Sequence, residues 1–208
     1  GEQLKCGDFV PFVFEHKFNM EVGDGDRKQL MSGTIDRVDI CENDTDVYVR
    51  IIDYKTGKKD FNIVKTYYGI DIQLMVYMEA AMRLVAKMRP GKNVLPAGVF
   101  YYNISDPIVS ATNESAEEIE DKIKGELRLK GMVNSDKDIA EKMDNTEGTS
   151  LNIPVSRKAD GGFDSRRSKV MNTEQFNMLG RFVDVRAVDT ADRIAGGDIR
   201  RSPYKDGQ

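Results

Sequence analysis

Two carboxylates and a lysine occur where the sequence otherwise predicts a pair of buried strands. The first carboxylate lies in Gly33-Thr34-Ile35-Asp36-Arg37-Val38-Asp39, and the other two groups lie in Ile51-Ile52-Asp53-Tyr54-Lys55. Carboxylate oxygens are preferred ligands of hard divalent cations, so Asp36 and Asp53 are candidate metal ligands. Lys55 follows Asp53 by two residues, and side chains two apart on a strand lie on the same face. The pattern therefore indicates a metal site with an adjacent lysine.

A β-hairpin is needed to bring these residues together. The run Glu42-Asn43-Asp44-Thr45-Asp46 has turn character and separates two segments with alternating apolar residues, which predicts a hairpin over residues 30–55. A turn centred between Asp44 and Thr45 places Asp36 opposite Asp53. Like charges opposite each other in a hairpin are destabilising, so a cation is expected between them.

The simpler alternative is a charged hairpin exposed to solvent. The apolar residues on the same face predict instead that this face is covered; they are Val38, Ile40, Val49 and Ile51. On the opposite face Asp39 pairs with Arg50, where we expect a surface ion pair. Both predictions depend on the register, because a slip of one residue would exchange the two faces.

The rest of the chain predicts one domain of the α/β class. With 208 residues, 39% of them hydrophobic, it can bury one sizeable core. We expect a strand over residues 9–22, a helix over 71–88 ended by Arg89-Pro90-Gly91 and a buried strand over 96–104. The predicted domain spans 1–208, with an α/β core over about 9–110 and a helical and loop part over about 111–208. In the latter, helices are predicted over 115–131, 135–144 and 172–195, and a long loop over 145–170.

Charge excludes one class of nucleic-acid-binding protein. A net charge of −4 argues against a protein that coats nucleic acid through bulk positive charge. Two local clusters could still contact phosphate, although each is also compatible with a plain solvated surface; they are Lys55, Lys58, Lys59 and Lys65, and Arg166, Arg167 and Lys169. Candidates for stacking on a single strand are Tyr67, Tyr68, Tyr101 and Tyr102.

The two cysteines, Cys6 and Cys41, do not form a disulfide framework in a chain of this length. This favours a reducing cytosol. No targeting signal is present, and the apolar runs are far shorter than the roughly 20 residues needed to cross a membrane. We therefore expect a cytoplasmic protein without membrane contact.

Three ordered motifs carry a family resemblance. They are Gly-x-Ile-Asp-Arg-x-Asp at 33–39, Asp-Tyr-Lys-Thr-Gly at 53–57 and Gln73-Leu74-Met75-Val76-Tyr77. Together they resemble the PD-(D/E)XK nuclease module of the RecB type. The resemblance implies a restriction-endonuclease-like mixed sheet flanked by helices, and hydrolysis of DNA with Mg²⁺, with Mn²⁺ as an alternative metal. It assigns metal binding to Asp36 and Asp53 and catalysis to these two residues with Lys55.

The third motif is the Gln-x-x-x-Tyr helix of that family. Gln73 and Tyr77 lie one helical turn apart and share a face, so both are candidates to line the DNA path. The alternative for Tyr77 is a core aromatic residue. Glu15 is a candidate supporting carboxylate. His16 is not assigned to the metal, because the family's histidine comes from a helix upstream of the strand that His16 is predicted to occupy.

Further segments resemble the C-terminal nuclease region of AddB-type subunits of bacterial ATP-dependent helicase-nucleases. They are residues 96–104, Leu129-Lys130-Gly131-Met132, Gly196-Gly197-Asp198-Ile199 and Ser202-Pro203-Tyr204-Lys205. This implies an exonuclease domain that acts with a helicase-nuclease partner subunit on the single strand of an unwound duplex, in double-strand break processing and recombinational repair. The family also holds an iron-sulfur cluster, but neither Cys6 nor Cys41 falls at its cysteine positions. We expect an excised domain.

Two other functions remain open. A nuclease-fold module could bind DNA or brace a complex without cleaving, although the intact set of Asp36, Asp53 and Lys55 argues against this. A small-molecule enzyme is the second alternative, but the Gly-Lys-Lys segment at 57–59 is not a phosphate-binding loop.

Overall fold

The computed structural model describes residues 7–104, 115–198 and 200, and only the backbone of residues 117 and 121. Its centre is a six-stranded sheet in which spatial order follows chain order. The strands are β1 (Val10–Val22), β2 (Gln29–Glu42), β3 (Asp46–Lys55), β4 (Asn93–Asn103), β5 (Lys130–Asn134) and β6 (Val170–Met171). Pairs β3/β4 and β5/β6 are parallel and the other neighbours are antiparallel, so the predicted mixed sheet is confirmed.

Helices cover both faces of this sheet. They are α1 (Ile63–Tyr67), α2 (Gln73–Met88), α3 (Ala116–Leu127), α4 (Lys137–Met143) and α5 (Thr173–Ala195). Helices α2 and α5 pack over one face in one apolar cluster, and α4 packs over the other face with residues of the 145–170 segment. We call these the α2 face and the α4 face. Among the described residues, no helix is long and apolar enough to cross a membrane.

The predicted hairpin register is confirmed. Asp39 pairs with Arg50 and Arg37 pairs with Ile52. The apolar residues that share a face with Asp36 and Asp53 are all buried beneath α2; they are Val38, Ile40, Val49 and Ile51. The site carboxylates therefore lie on a covered face, which rules out the solvated hairpin.

Glycine is required at the start of the first motif. Gly33 pairs with Phe18 across β1 and β2, and a Cβ at position 33 would lie 2.9 Å from the Phe18 ring. That ring also meets Tyr77 of α2 edge to face, with centroids 5.8 Å apart. The missing side chain thus allows α2 to approach the strand that carries Asp36.

Helix α2 confirms the helix predicted over 71–88. Its buried residues follow a helical period and include Leu74, Met78, Ala81 and Val85. It begins at Gln73, so Ile70, which the sequence pattern assigned to its apolar face, lies before it and is exposed. The helix ends at Met88, followed by Pro90, as predicted.

The prediction of a surface ion pair between Asp39 and Arg50 is wrong. Asp39 is fully buried and Arg50 is 2% exposed. Asp39 accepts hydrogen bonds from Arg50 Nε (2.9 Å) and from Arg37 Nε (2.6 Å), so three charges form one buried cluster. The cause is tertiary: Phe9 covers Arg50 at 4.9 Å from its ring centroid, and residues far along the chain complete the layer on this face.

The predicted boundary of the helix over 115–131 is also wrong. Helix α3 begins with the expected capping box between Ser115 and Glu118 but ends at Leu127. Residues 130–134 instead form β5, which pairs with β4. Gly131 makes this close pairing possible, because a Cβ there would lie 1.9 Å from the Val99 carbonyl oxygen. The segment expected to be helical therefore extends the sheet.

The 145–170 segment forms a loop with short strand contacts, and part of it belongs to the core. Ile153 and Val155 are buried against the α4 face, and Ser150 donates a hydrogen bond to Asp144 (2.5 Å). Isolated bridges join Thr149 to Ser156 and Arg157 to Phe163. The predicted helices over 135–144 and 172–195 are confirmed as α4 and α5, the latter capped by Asn172.

Several sequence features fall outside the described residues, among them Cys6, the segment 105–110 and Ser202-Pro203-Tyr204-Lys205. Cys41 is described and is a free, buried thiol whose pKa is raised by burial.

Candidate active site

Asp53 is the most deeply buried carboxylate on the α2 face of the hairpin. It lies near the end of β3 and is 2% exposed. Its Oδ2 forms an ion pair with Lys55 Nζ (2.6 Å) but accepts no hydrogen bond of good geometry from the described residues. Burial raises the pKa of this carboxyl, the ion pair with Lys55 opposes the rise, and the charge of Asp36 adds to it. A buried oxygen with unused acceptor capacity is suited to a cation.

Asp36 lies next to Asp53 across the hairpin. The strand pairing ends at Arg37 and Ile52, so Asp36 and Asp53 are the next residues on the two strands, and the charge of Asp36 acts on Asp53. Asp36 is half-buried, and its Oδ2 accepts a hydrogen bond from the Tyr54 N–H (2.8 Å). This bond fixes one carboxylate oxygen of Asp36 beside β3. The structure thus brings the two predicted metal ligands together.

Gln73 connects the remaining predicted residues. Its Oε1 accepts a hydrogen bond from Lys55 Nζ (3.1 Å), and its Nε2 donates to Asp53 Oδ1 (3.2 Å) and to the Tyr77 hydroxyl (2.9 Å). One amide therefore holds both the lysine and the carboxylate from the first turn of α2. Tyr77 packs against Phe18 and accepts the hydrogen bond from Gln73 through its hydroxyl; its place, with Gln73, along a DNA path stays a prediction.

Replacing Gln73 tests its positioning role. We expect Gln73→Ala to lower kcat of any reaction at this site by about 10- to 100-fold, the usual cost of losing a group that orients a ligand. The melting temperature should change little, because Gln73 is only partly buried. Tyr77→Phe is the matched control: it keeps the ring against Phe18, removes one partner of Gln73 and should have a smaller effect. A large loss of melting temperature in Gln73→Ala would instead indicate a structural residue.

A second polar cluster lies beside the first. Tyr101 lies on β4, where it pairs with Asp53 of β3. It is fully buried and donates a hydrogen bond to Asp71 Oδ1 (2.8 Å). Burial and this bond raise the pKa of the Tyr101 phenol above its usual range. Lys59 forms an ion pair with Asp71 (3.2 Å) and lies over the Tyr101 ring at 4.5 Å from its centroid. Lys55 lies over the same ring at 5.6 Å.

This arrangement corrects one sequence prediction and adds a residue that the sequence did not indicate. The sequence makes Tyr101 a candidate for stacking on a nucleic acid strand, but a fully buried ring cannot do so. Tyr67 and Tyr68 are exposed, so the prediction stays open for them, although one face of the Tyr67 ring is already stacked on Phe182 with centroids 5.1 Å apart. Asp71 lies in the segment before α2, where no strand pattern marks it; only its position two residues before Gln73 could have drawn attention to it.

Glu15 lies level with Asp36 on β1, between the residues that pair with Arg37 and Ile35. Its backbone φ of 47° is in the left-handed region, which is uncommon for a residue with a side chain. The side chain is exposed and makes no hydrogen bond or ion pair with the described residues. Its supporting role therefore stays a prediction. His16 is half-buried in the adjacent position.

The donor set fits a hard divalent cation. Asp36 and Asp53 supply carboxylate oxygens, one of which, Asp53 Oδ2, is buried and has Lys55 Nζ as its ion-pair partner. No group of three or more His, Cys, Asp or Glu side chains suited to a metal is found in the part of the chain that the structure describes. Two carboxylates are the usual protein contribution to Mg²⁺, which keeps several waters and takes further oxygens from a substrate phosphate. Mg²⁺ or Mn²⁺ is therefore compatible with the site.

The fold, the motif order and the polar network together define a class of enzyme. A family model described as the PD-(D/E)XK nuclease superfamily matches residues 1–207, so the chain belongs to this superfamily. Its sheet with flanking helices is the restriction-endonuclease-like α/β fold.

The chain is also similar to particular nuclease subunits, all of them the B-type subunit of an ATP-dependent helicase/deoxyribonuclease. It is 37% identical to this subunit of Clostridium botulinum (strain Hall), over 99% of this chain and 19% of that protein. The corresponding subunit of Clostridium acetobutylicum is 37% identical over 100% of this chain and 19% of its own length. The corresponding subunit of Lachnoclostridium phytofermentans is 37% identical over 98% of this chain and 18% of its own length. The chain thus spans about a fifth of the length of these relatives.

Proposed function

We propose that this chain is the metal-dependent deoxyribonuclease domain of a helicase-nuclease subunit and cleaves DNA as an exonuclease. The observation that carries the proposal is the buried Asp53 carboxylate, which lies next to Asp36 and in contact with Lys55 on a face covered by α2. A charged group without full hydrogen bonding is costly to bury, so its presence needs a functional reason.

Each side chain of the network has a definite task in phosphodiester hydrolysis. Asp36 and Asp53 would hold Mg²⁺ or Mn²⁺, which when bound supplies activation of water and neutralisation of charge on the scissile phosphate. Lys55, whose ammonium lies between Asp53 and Gln73, donates hydrogen bonds to the attacking water or to a phosphate oxygen in the transition state. Gln73 keeps Lys55 and Asp53 at a fixed separation.

The role of the whole protein is supported by the names of the relatives. We propose a partner subunit, a single DNA strand delivered by unwinding as the substrate, and a role in double-strand break processing and recombinational repair. Such a role favours the cytoplasm as the location of the protein. A module that binds DNA without cleaving it is disfavoured because Asp53, Lys55 and Gln73 form one network of contacts and the charge of Asp36 lies close enough to act on Asp53.

The direct test is cleavage of linear DNA by the intact subunit with its partner. We expect cleavage with Mg²⁺ or Mn²⁺ and none with a chelator. Metal-independent cleavage would contradict the proposed site, and binding of DNA without cleavage would favour the silent module.

Metal binding can be tested without any assay of activity. Mg²⁺ or Mn²⁺ should raise the melting temperature, because a ligand that binds only the folded state at about ten times its Kd contributes roughly 1.4 kcal/mol. For a domain of this size the shift is about 3 to 5 °C. In Asp36→Asn most of this gain should disappear, while the metal-free protein should melt at or above wild type. The amide oxygen can still accept the hydrogen bond from the Tyr54 N–H, and one of two adjacent negative charges is gone.

The direction of the change in metal-free melting temperature follows from the pKa of Asp53. A carboxyl whose pKa is raised by folding destabilises the folded state above that raised pKa, so at neutral pH relief of its repulsion with Asp36 is stabilising. Asp44→Asn is the matched control, with the same charge change at the exposed turn of the same hairpin. An undiminished metal response in Asp36→Asn would remove Asp36 from the metal site.

A further inference from the structure

A groove beside the segment that follows β3 is lined mainly by cationic side chains. Its volume is about 240 Å³. We call it the cationic groove, and its charged residues are Asp60, Arg128, Lys130, Arg166, Arg167 and Lys169. Five of these six are basic, whereas the net charge of the whole chain is −4. A local excess opposite in sign to the chain's overall charge indicates a surface suited to an anionic ligand.

The strand register relates this groove to the active site. Asp53 on β3 pairs with Tyr101 on β4, and Tyr101 pairs with Lys130 on β5. Directly paired residues lie on the same face of a sheet, so Lys130 lies on the α2 face in one row with Asp53. Neighbouring strands are about 4.8 Å apart, which places the two positions about 10 Å from each other. One strand of stacked, duplex-like DNA advances about 3.4 Å per nucleotide, so this distance corresponds to about three stacked nucleotides.

The interval between the two ends of this row is also cationic. Lys59 lies over the ring of Tyr101, the residue between Asp53 and Lys130. From Lys55 through Lys59 to Lys130, each strand position of the row therefore has an ammonium group nearby. The Tyr101 ring is fully buried, so a polyanion that follows this row passes over the partly exposed Lys59 above the ring. The acidic groups beside this path are Asp71, Asp60 and Glu126, which form ion pairs with Lys59, Lys169 and Lys58.

Two cations of the groove are held in place by the fold. Lys130 Nζ donates a hydrogen bond to the Gly125 carbonyl (3.1 Å), and Arg128 Nε donates to the Ile153 carbonyl (2.7 Å). Both side chains are half-buried, and this burial lowers the pKa of each group. A phosphate that approaches them meets charges that are weakly screened and already ordered.

The outer wall of the groove is more exposed. Arg166 and Arg167 lie in a turn organised by Asp164, which accepts hydrogen bonds from the Arg166 N–H (2.9 Å) and from Arg167 Nε (3.0 Å). Lys169 forms an ion pair with Asp60 and so connects this turn to the segment after β3. Both arginine side chains are exposed, and the planar geometry of a guanidinium suits phosphate oxygens; that of Arg167 also forms an ion pair with Asp164 Oδ2 (2.9 Å), which a phosphate has to share or displace.

We propose that the cationic groove binds the phosphodiester backbone of the DNA strand. The bound phosphates would lie about three nucleotides away from the bond that is cleaved at the Asp53 site. This inference rests on the proposed function of the Asp53 site. It assigns Arg166, Arg167 and Lys130 to substrate binding and gives the active site a minimum substrate length. A strand that reaches the groove is held at two points, and a shorter one is held only at the site of cleavage.

The test variant is Arg166→Glu/Arg167→Glu in the intact subunit with its partner. Binding of a 12-nucleotide single strand is measured with metal chelated, over a range of salt concentrations. We expect the slope of log K against log salt to become shallower by about 1.4, the value for two lost phosphate contacts on a single strand. With metal, KM for this substrate should rise while kcat is unchanged. A dinucleotide is too short to reach the groove, and its cleavage should be the same in wild type and variant.

The matched control is Lys137→Glu/Lys158→Glu, which makes the same change of charge in α4 and in the loop outside the cationic groove; Lys137 is 83% exposed. Melting temperatures verify that both variants are folded. An unchanged salt slope in the Arg166→Glu/Arg167→Glu variant overturns the proposal. The proposal is also overturned if the variant no longer binds the partner subunit while its salt slope for DNA is unchanged, since the groove would then bind an acidic protein surface. If the slope changes as expected but wild type cleaves nothing, the groove is supported and the proposed function of the Asp53 site fails.

Discussion

Replacing either Lys55 or Asp53 by alanine is expected to lower kcat for metal-dependent cleavage of DNA by at least about 10²- to 10³-fold, the scale of losing one group that stabilises charge in a transition state. Lys55 has the only ammonium group in ion-pair contact with Asp53 among the described residues, and it also donates to Gln73. A single-strand substrate should still bind, because the other cations of the row from Lys59 to Lys130 are intact. The loss should therefore appear in kcat rather than in KM.

Three measurements separate this result from simple damage to the protein. The melting temperature of Asp53→Ala should not fall much, because the cost of burying this carboxylate, which raises its pKa, offsets much of the gain from its contacts with Lys55 and Gln73. Unwinding of DNA by the helicase-nuclease assembly that we propose should persist. The variant Lys137→Ala, which lacks an exposed lysine of α4 on the opposite face of the sheet, should cleave DNA at the wild-type rate. Cleavage near the wild-type rate in Lys55→Ala would remove that residue from the mechanism and favour a DNA-binding module.

The active-site network could be anticipated because its geometry depends on short-range order. A two-residue strand period and one turn of known position fix Asp36, Asp53 and Lys55 on one face, and a four-residue helical period puts Gln73 and Tyr77 on another. Only the contact between the hairpin and α2 is tertiary, and the apolar residues around the carboxylates predicted that the hairpin would be covered. The sequence did not indicate which of these side chains hydrogen-bond to each other, for example that Lys55 Nζ donates to Gln73 Oε1.

The failures of sequence reasoning share a different cause. Sequence alone predicts Asp39 and Arg50 at the surface because their own strands give no sign of what packs over them. The cover comes from Phe9 and from the 145–170 segment, which has no regular period of its own. Likewise Lys130-Gly131-Met132 continues a helical pattern locally. The segment nevertheless forms a strand paired with β4, because Gly131 permits close approach of the two strands. In both cases contacts distant in sequence override the local preference.

The buried charge cluster yields the largest expected effect on stability. Asp39→Ala should lower the free energy of unfolding by about 3 to 5 kcal/mol, because it leaves the guanidinium groups of Arg37 and Arg50 buried without their carboxylate. The melting temperature should fall by about 10 °C. A surface ion pair, the arrangement suggested by sequence alone, would contribute less than about 1 kcal/mol. Chemical denaturation at neutral pH distinguishes the two.

The exposed pair of Lys137 and Glu141 provides the control. Its charged atoms are 3.9 Å apart, so Glu141→Ala should change stability by no more than about 0.5 kcal/mol. Asp39 also lies near the active site on the same strand: Arg37, its partner, lies between it and Asp36 and pairs with Ile52, the neighbour of Asp53. Loss of the cluster should therefore loosen the register on which the two metal ligands depend, and cleavage should fall even at temperatures where Asp39→Ala remains folded. If instead Asp39→Ala is as stable as Glu141→Ala and fully active, the cluster neither stabilises the hairpin nor positions Asp36 beside Asp53.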